Sequence, residues 1–220
     1  MTTESNNHSS DNRITYETDG YICLIGLNRI DKRNAFDSHM IKQLSEALTN
    51  YESDDNLRCA LIFAHGEHFT AGIELMLNSD VVIASDNCNF AQMEVQRGIM
   101  PFGGATVRFI QAAGWQKAMP YLLTGKAFDA QTADRLNLVS EVVANGEEYE
   151  RAMTIAQEIC KAAPLGVQGL LSSAQDVSRS GTAAALANIH SYLPHLFYSE
   201  DAKEGAMAMV ERREAEFKGH

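Results

Sequence analysis

Residues 66–104 read GEHFTAGIELMLNSDVVIASDNCNFAQMEVQRGIMPFGG, and this stretch decides the fold. It combines a small-residue turn, a short apolar run, a glycine-rich turn and two isolated carboxylates. Glu74 stands in AGIELML, directly after the small residues. Glu94 stands in NFAQMEVQRGIMPFGG, ahead of the pair Gly103-Gly104. A carboxylate among apolar neighbours suits acid/base work, because desolvation disfavours its charged form. Two such groups converging on one pocket would hold a water and trade protons with a substrate. The plainer alternative is a salt-bridged or exposed glutamate on each segment.

Upstream, RCALIFAHG (58–66) is a buried strand closed by a glycine turn. Apolar residues recur at helical spacing at Met40, Ile41, Leu44, Ala47 and Leu48, with Asp37 or Ser38 as N-cap. NRIDKRNAF (28–36) is a polar loop. ITYETDGYICLIGL (14–27) holds two strands around the Asp19-Gly20 turn signal. Residues 1–13, rich in Ser, Asn and Thr, form an expected disordered tail.

Within and beyond the deciding stretch, the latter part of EHFTAGIELMLNS is helical and DVVIAS (80–85) is a short strand. ATVRFIQAAGW and QKAMPYLLTG are short helices parted by glycine. Asp129 caps AQTADRLNL, and VSEVV is a strand. From Gly146 onward four helical pieces follow: EEYERAMTIAQEICKAA, PLGVQGLLSSAQDVSR, GTAAALANIHSYLPHLFYS and EDAKEGAMAMVERREAEF. Pro164 stands near the start of its helix, where proline is tolerated. The order predicts an α/β core (14–145) with a helical C-terminal region (146–220).

The 220 residues are 45% hydrophobic and 21% charged, an ordinary globular balance for one domain. With 18 Lys and Arg against 29 Asp and Glu, the formal charge is −11. Such a chain is a poor general binder of phosphate backbones, so no nucleic-acid partner is expected. Cys23, Cys59, Cys88 and Cys160 form no C-x-x-C pair, and no run of apolar residues is long enough to span a membrane. The polar start lacks an apolar signal core, and a cytoplasmic location with reduced thiols is expected.

Phosphate-loop, dinucleotide, nucleophile-elbow and H-E-x-x-H motifs do not occur. His65 and His68 flank Gly66-Glu67 and read as a solvated turn rather than a metal site. His190 and His195 read as packing or interface residues, and no metal is expected.

The sequence resembles the crotonase (enoyl-CoA hydratase/isomerase) family. The resemblance rests on NRIDKRNAF, GEHFTAG, GIELMLNSDVVIAS, FAQMEVQRGIMPFGGATVRF, LLTGKAFDAQTADRLNLVSEVV and SEDAKEGAMAMVERREAEFKG, in family order from about Ile14 to Gly219. It implies a crotonase-like spiral of ββα units, with C-terminal helices that assemble a homotrimer or homohexamer. It implies an acyl-CoA thioester as substrate, with coenzyme A entering as part of that substrate and no permanently bound cofactor. The family polarises the thioester carbonyl with two backbone N–H groups, an oxyanion hole that stabilises an enolate. Glu74 and Glu94, twenty residues apart, match the hydratases' two glutamates, which hold the attacking water; the second protonates the α-carbon. This favours addition of water to a trans-2-enoyl-CoA. Ala71 or Gly72 would supply a backbone donor. Arg29, Lys32, Arg33 and the backbone at Ala35 match the coenzyme A segment, and Lys218 is a further candidate for phosphate.

The chain departs from the family at residues 70–74. HFTAG runs straight into IELMLNSD, where the family places roughly forty further residues, a unit of βαβ scale. Counted from the left, Ile73 is the first oxyanion donor; counted from Glu74, Ala71 is the second. One tetrapeptide cannot fill both places, and strands 61–64 and 81–84 are expected to lose a neighbour. The glycine pair Gly103-Gly104 also sits one place earlier than in typical hydratases. The alternatives are therefore a catalytically impaired homologue that binds CoA esters or only assembles, and an enoyl-CoA isomerase.

Overall fold

A computed structural model describes residues 12–69 and 72–220. The predicted N-terminal tail lies outside the described residues apart from Asn12 and Arg13. Strands β1 (Ile14–Asp19) and β2 (Ile22–Leu27) are joined through Gly20, whose φ of 56° suits a tight turn. Ile22, Cys23, Ile25 and Leu27 are all buried, so β2 is covered on both faces. Helix α1 (Ser38–Glu52) is capped by Asp37, whose carboxylate accepts from Met40 N at 3.0 Å. Its buried residues Met40, Leu44 and Ala47 form one stripe at helical spacing.

β3 (Cys59–Ala64) completes a sheet of order β1-β2-β3 and is its terminal strand. Of its six residues only Leu61 is buried. After α2 (Gly72–Met76), β4 (Ile83–Ser85) pairs in parallel with β7 (Glu141–Val143), Ala84 opposite Val142. β4 belongs to this two-stranded sheet and not to that of β3. Two short strands escape the sequence pattern: β5 (Asn89–Phe90) and β6 (Phe128–Asp129) pair antiparallel, Phe90 against Phe128.

Helices α3 (Ala105–Ala113) and α4 (Trp115–Thr124) are parted by Gly114, and α5 (Ala130–Arg135) is capped by Asp129 accepting from Thr132 N at 2.8 Å. These elements close a core around Phe109, Phe128 and Leu122. The Phe109 and Phe128 rings lie 6.0 Å apart, and Tyr121 meets Phe128 edge-on at 4.7 Å. Ile73 and Met76 of α2 enter the same core, which fixes the short helix between them.

The C-terminal region holds α6 (Glu148–Lys161), α7 (Pro164–Ser180), α8 (Thr182–Asn188), α9 (Leu193–Phe197) and α10 (Glu200–Glu211). The predicted helix over 181–199 is broken by a 3-10 turn at Ile189–Ser191, with Pro194 opening α9. The predicted helix over 200–217 ends at Glu211, because Arg212 turns left-handed with φ 57°. The tail then folds back along α10. Arg213 grips Glu204 with both Nη atoms at 2.5 and 2.8 Å, and Glu216 N donates to the same carboxylate. Buried Asp201 accepts from Lys218 N and Gly219 N at 2.7 and 2.8 Å.

The chain divides into two compact units. One holds residues up to Asp19 with Cys23–Asp54 and Ala60–Thr154; the other holds Gly20–Ile22, Asp55–Cys59 and Ile155–His220. In the second unit Arg58 stacks on the Tyr21 ring at 3.9 Å and donates to the carbonyls of Cys160 and Phe217.

Candidate active site

Glu74 lies in the middle of α2, half-buried, between the core residues Ile73 and Met76. Its Oε1 accepts from Gly103 N at 2.6 Å and Ala105 N at 3.2 Å. These amides belong to the start of α3, where backbone donors lack intrahelical partners and the helix dipole favours an anion. Glu74 therefore caps α3 from a different element. Gly103 makes the close approach possible: a Cβ there would lie 2.6 Å from Glu74 Oε2 and 2.8 Å from its Cδ. The glycine pair singled out in the sequence is the seat of this carboxylate.

Of the candidate oxyanion donors, Ala71 lies outside the described residues. Gly72 opens α2 with φ 82°, in the left-handed region that glycine adopts at no steric cost.

Glu94 opens a 3-10 turn (Glu94–Arg97) that ends at Gly98 with φ 76°. Its Oε2 accepts from Gln92 Nε2 at 2.9 Å. Gln92 is only 4% exposed, and its Oε1 has no hydrogen-bond partner. The turn is anchored from its other side by Gln96, which donates to Thr124 O at 2.8 Å. Glu74 and Glu94 make no hydrogen bond to each other among the described residues; each is held by its own donors. The chain connects them: Glu94 begins the segment 94–105, and Glu74 grips its far end. Between them Ile99, Met100 and Phe102 are exposed, Phe102 to 84%.

The basic loop is ordered by its own residues. A 3-10 turn (Ile30–Lys32) is followed by two left-handed residues, Arg33 and Asn34. Arg29 donates to Ala35 O at 2.7 Å and pairs with Asp37 at 3.0 Å; Arg13 pairs with the same carboxylate. The Met40 amide and then these two cations hold the Asp37 carboxyl below its usual range. Arg29 is thus a scaffold for the loop, while Lys32 and Arg33 are exposed. Lys218 is exposed in the C-terminal unit.

Three further residues shape this region, and the sequence alone assigns a role in the site to none of them, although the glycine pair that includes Gly103 stands out in it. Asn34, 1% exposed, accepts from Arg29 N at 2.6 Å and donates to the carbonyls of His65 and His68 at 2.9 and 2.8 Å. It ties the basic loop to the segment leading into the small-residue turn. Gln92 and Gly103 touch the two glutamates. The F-x-Q-x-E spacing carries a signal for Gln92; nothing local marks Asn34. His65 is not merely part of a solvated turn: its Nε2 bonds Thr15 Oγ1 at 2.9 Å and its ring packs on Phe63. His190 and His195 are exposed.

Two concavities lie elsewhere. One of about 370 Å³ is lined by residues of α2, α3 and the 137–140 turn, including Asp80 and Arg108. The other, about 490 Å³ and mostly apolar, is lined by α7, α8 and α9. Neither includes Glu74 or Glu94.

The family model described as enoyl-CoA hydratase/isomerase matches residues 64–220. A probable enoyl-CoA hydratase of Rhizobium meliloti (strain 1021) is 29% identical over 250 residues, covering 92% of this chain and 96% of the relative. That alignment is longer than the 220-residue chain, so the relative carries residues with no counterpart here. The 2,3-dehydroadipyl-CoA hydratase of Escherichia coli (strain K12) is 33% identical over 155 residues, 70% of this chain and 61% of that protein. A solved structure of a probable enoyl-CoA hydratase/isomerase from Mycobacterium abscessus superposes with a TM-score of 0.90 at 39% identity, covering 94% of this chain and 99% of the other. The fold is thus the α/β crotonase fold expected from the sequence, and the chain belongs to the enoyl-CoA hydratase/isomerase family.

Proposed function

We propose that this chain adds water to a trans-2-enoyl-CoA thioester, with Glu74 and Glu94 as its acid/base pair. The observation that carries this reading is that both carboxylates are held by fixed donors at the two ends of one segment, 94–105. Preorganised groups of this kind need little rearrangement at the moment of reaction. The two amide donors occupy Glu74 Oε1, leaving Oε2 to orient a water. The water oxygen bonds the β-carbon while the π pair moves onto the thioester oxygen as an enolate. One water proton passes to a carboxylate, and Glu94 delivers a proton to the α-carbon, so one water is added in all. A backbone N–H near Gly72 would face the enolate oxygen. The names of the relatives support the chemistry: hydratases of enoyl-CoA and of 2,3-dehydroadipyl-CoA.

Lys32 and Arg33, exposed beside the Asn34-braced turn, supply cations for the coenzyme A phosphates, with Lys218 as a further candidate. A homotrimer or homohexamer is proposed as the assembled form. Its support is the apolar surface of the C-terminal helices, where Leu170, Leu186, Phe197 and Met209 are exposed. A second reading, CoA-ester binding without turnover, is favoured by the terminal position of β3 and the residues missing relative to the Rhizobium protein.

The test offers the purified chain a trans-2-enoyl-CoA and a trans-3-enoyl-CoA of the same length. Formation of the 3-hydroxyacyl-CoA from the first, its oxygen drawn from labelled water, is the expected result. Conversion of the 3-enoyl substrate without oxygen uptake would replace hydration by isomerisation. Binding without either product would support the second reading.

A further inference from the structure

Gln92 is the one buried side chain among the described residues with an unpartnered polar atom. It is 4% exposed, and its Nε2 donates to Glu94 Oε2 at 2.9 Å while Oε1 bonds nothing. A buried amide satisfied at one end only destabilises the fold; an apolar side chain of the same length would avoid that. Local rules of this kind are broken where function compensates. The element concerned is short and irregular: Gln92 precedes a single 3-10 turn whose first residue is Glu94, and no regular helix fixes the glutamate's rotamer.

We propose that Gln92 is the positioning residue of Glu94: its amide holds the carboxylate in the orientation from which the proton is delivered, and its own oxygen is left unpaired as a result. The inference rests on the reading of Glu94 as the proton donor. It assigns Gln92 no contact with substrate, so its loss acts on turnover and not on substrate binding.

The test uses two substitutions that break the bond in opposite structural ways. Gln92→Met keeps the length, removes the unpaired oxygen and loses the donor. Gln92→Asn keeps a buried amide but is one methylene too short to reach Glu94. Both are expected to lower kcat for trans-2-enoyl-CoA hydration by about ten- to a hundredfold, the effect of a small misplacement of a reacting group, with KM within about threefold. Their stabilities part: Gln92→Met melts at or above the wild type, and Gln92→Asn melts below it. Should one variant fail to fold, the other still carries the kinetic test. Glu94→Gln is assayed alongside. An inactive Glu94→Gln with Gln92 variants that keep kcat, or that lose activity through KM or in step with Tm, overturns the positioning role and leaves the proton-donor reading standing. Full activity in Glu94→Gln, or an inactive wild type, overturns the reading and the inference with it.

Discussion

Replacing Gly103 with alanine isolates the contact on which the site's geometry turns. The new Cβ would stand 2.6 Å from Glu74 Oε2, 2.8 Å from its Cδ and 3.1 Å from its Cβ. Gly103 is not in the left-handed region, so alanine meets no backbone penalty there and the whole effect is the collision. The glutamate must leave, and two hydrogen bonds go with it, at 2.6 and 3.2 Å. Losing a charged cap from a helix start at a half-exposed site costs about 1–3 kcal/mol. For a chain of this size that lowers Tm by about 3–10 °C. Displacing the carboxylate by about 1 Å should cost about a hundredfold in kcat. A double-mutant cycle followed by thermal melting and hydration kinetics separates this mechanism from general damage. In a Glu74→Ala background the contacts at 2.6 and 2.8 Å are gone and only the 3.1 Å approach to the Cβ of residue 74 remains, so Gly103→Ala should cost under about 0.5 kcal/mol, a coupling of about 1 kcal/mol or more. Gly104→Ala is the contrast: its φ is 101° with nothing within 4 Å, so its cost comes from the backbone and is the same in both backgrounds. Equal costs for Gly103→Ala with and without Glu74 would refute the argument.

Asn34→Gly keeps the left-handed backbone but deletes three buried hydrogen bonds, and should cost about 2–4 kcal/mol in urea unfolding; a loss below about 1 kcal/mol would show that the loop stands without it. The fork from Arg213, the Glu216 amide and Lys218 nearby lower the Glu204 carboxyl from 4.5 to about 2. A lowered carboxyl stabilises the fold above its unfolded value, so the clamp on the tail is complete above about pH 4.5 and is lost as pH falls toward 2. The Glu216 amide resonance should report that transition, and a midpoint near 4.5 would contradict it.

Much of the fold is legible because the sequence writes it locally. Asp19-Gly20 marks the β1–β2 turn, Asp37 caps α1 and Asp129 caps α5, each through contacts within a few residues. The misses are long-range. β5 and β6 are two-residue strands that exist only because Phe90 and Phe128 meet across the chain. The end of α10 at Glu211 follows from Arg213 and Glu216 reaching back to Glu204, against helical patterning that runs on to Phe217. At the site, Glu74 and Glu94 stand out by their neighbours and spacing. Gln92 is two residues from Glu94 and within reach of a local pattern, but the other contacts are invisible in one dimension: Gly103 is twenty-nine residues from Glu74, and Asn34 is thirty-four from His68. The abrupt passage from HFTAG into IELML agrees with the separation of β3 from β4, which lie in different sheets.

The most direct test of the account follows loss of the conjugated thioester absorbance of a short trans-2-enoyl-CoA, with the wild-type chain beside Glu94→Gln. Turnover by the wild type that vanishes in the variant is the expected result, although the variant remains folded. A folded wild-type chain that leaves the absorbance unchanged would contradict it, as would a variant that turns over at the wild-type rate.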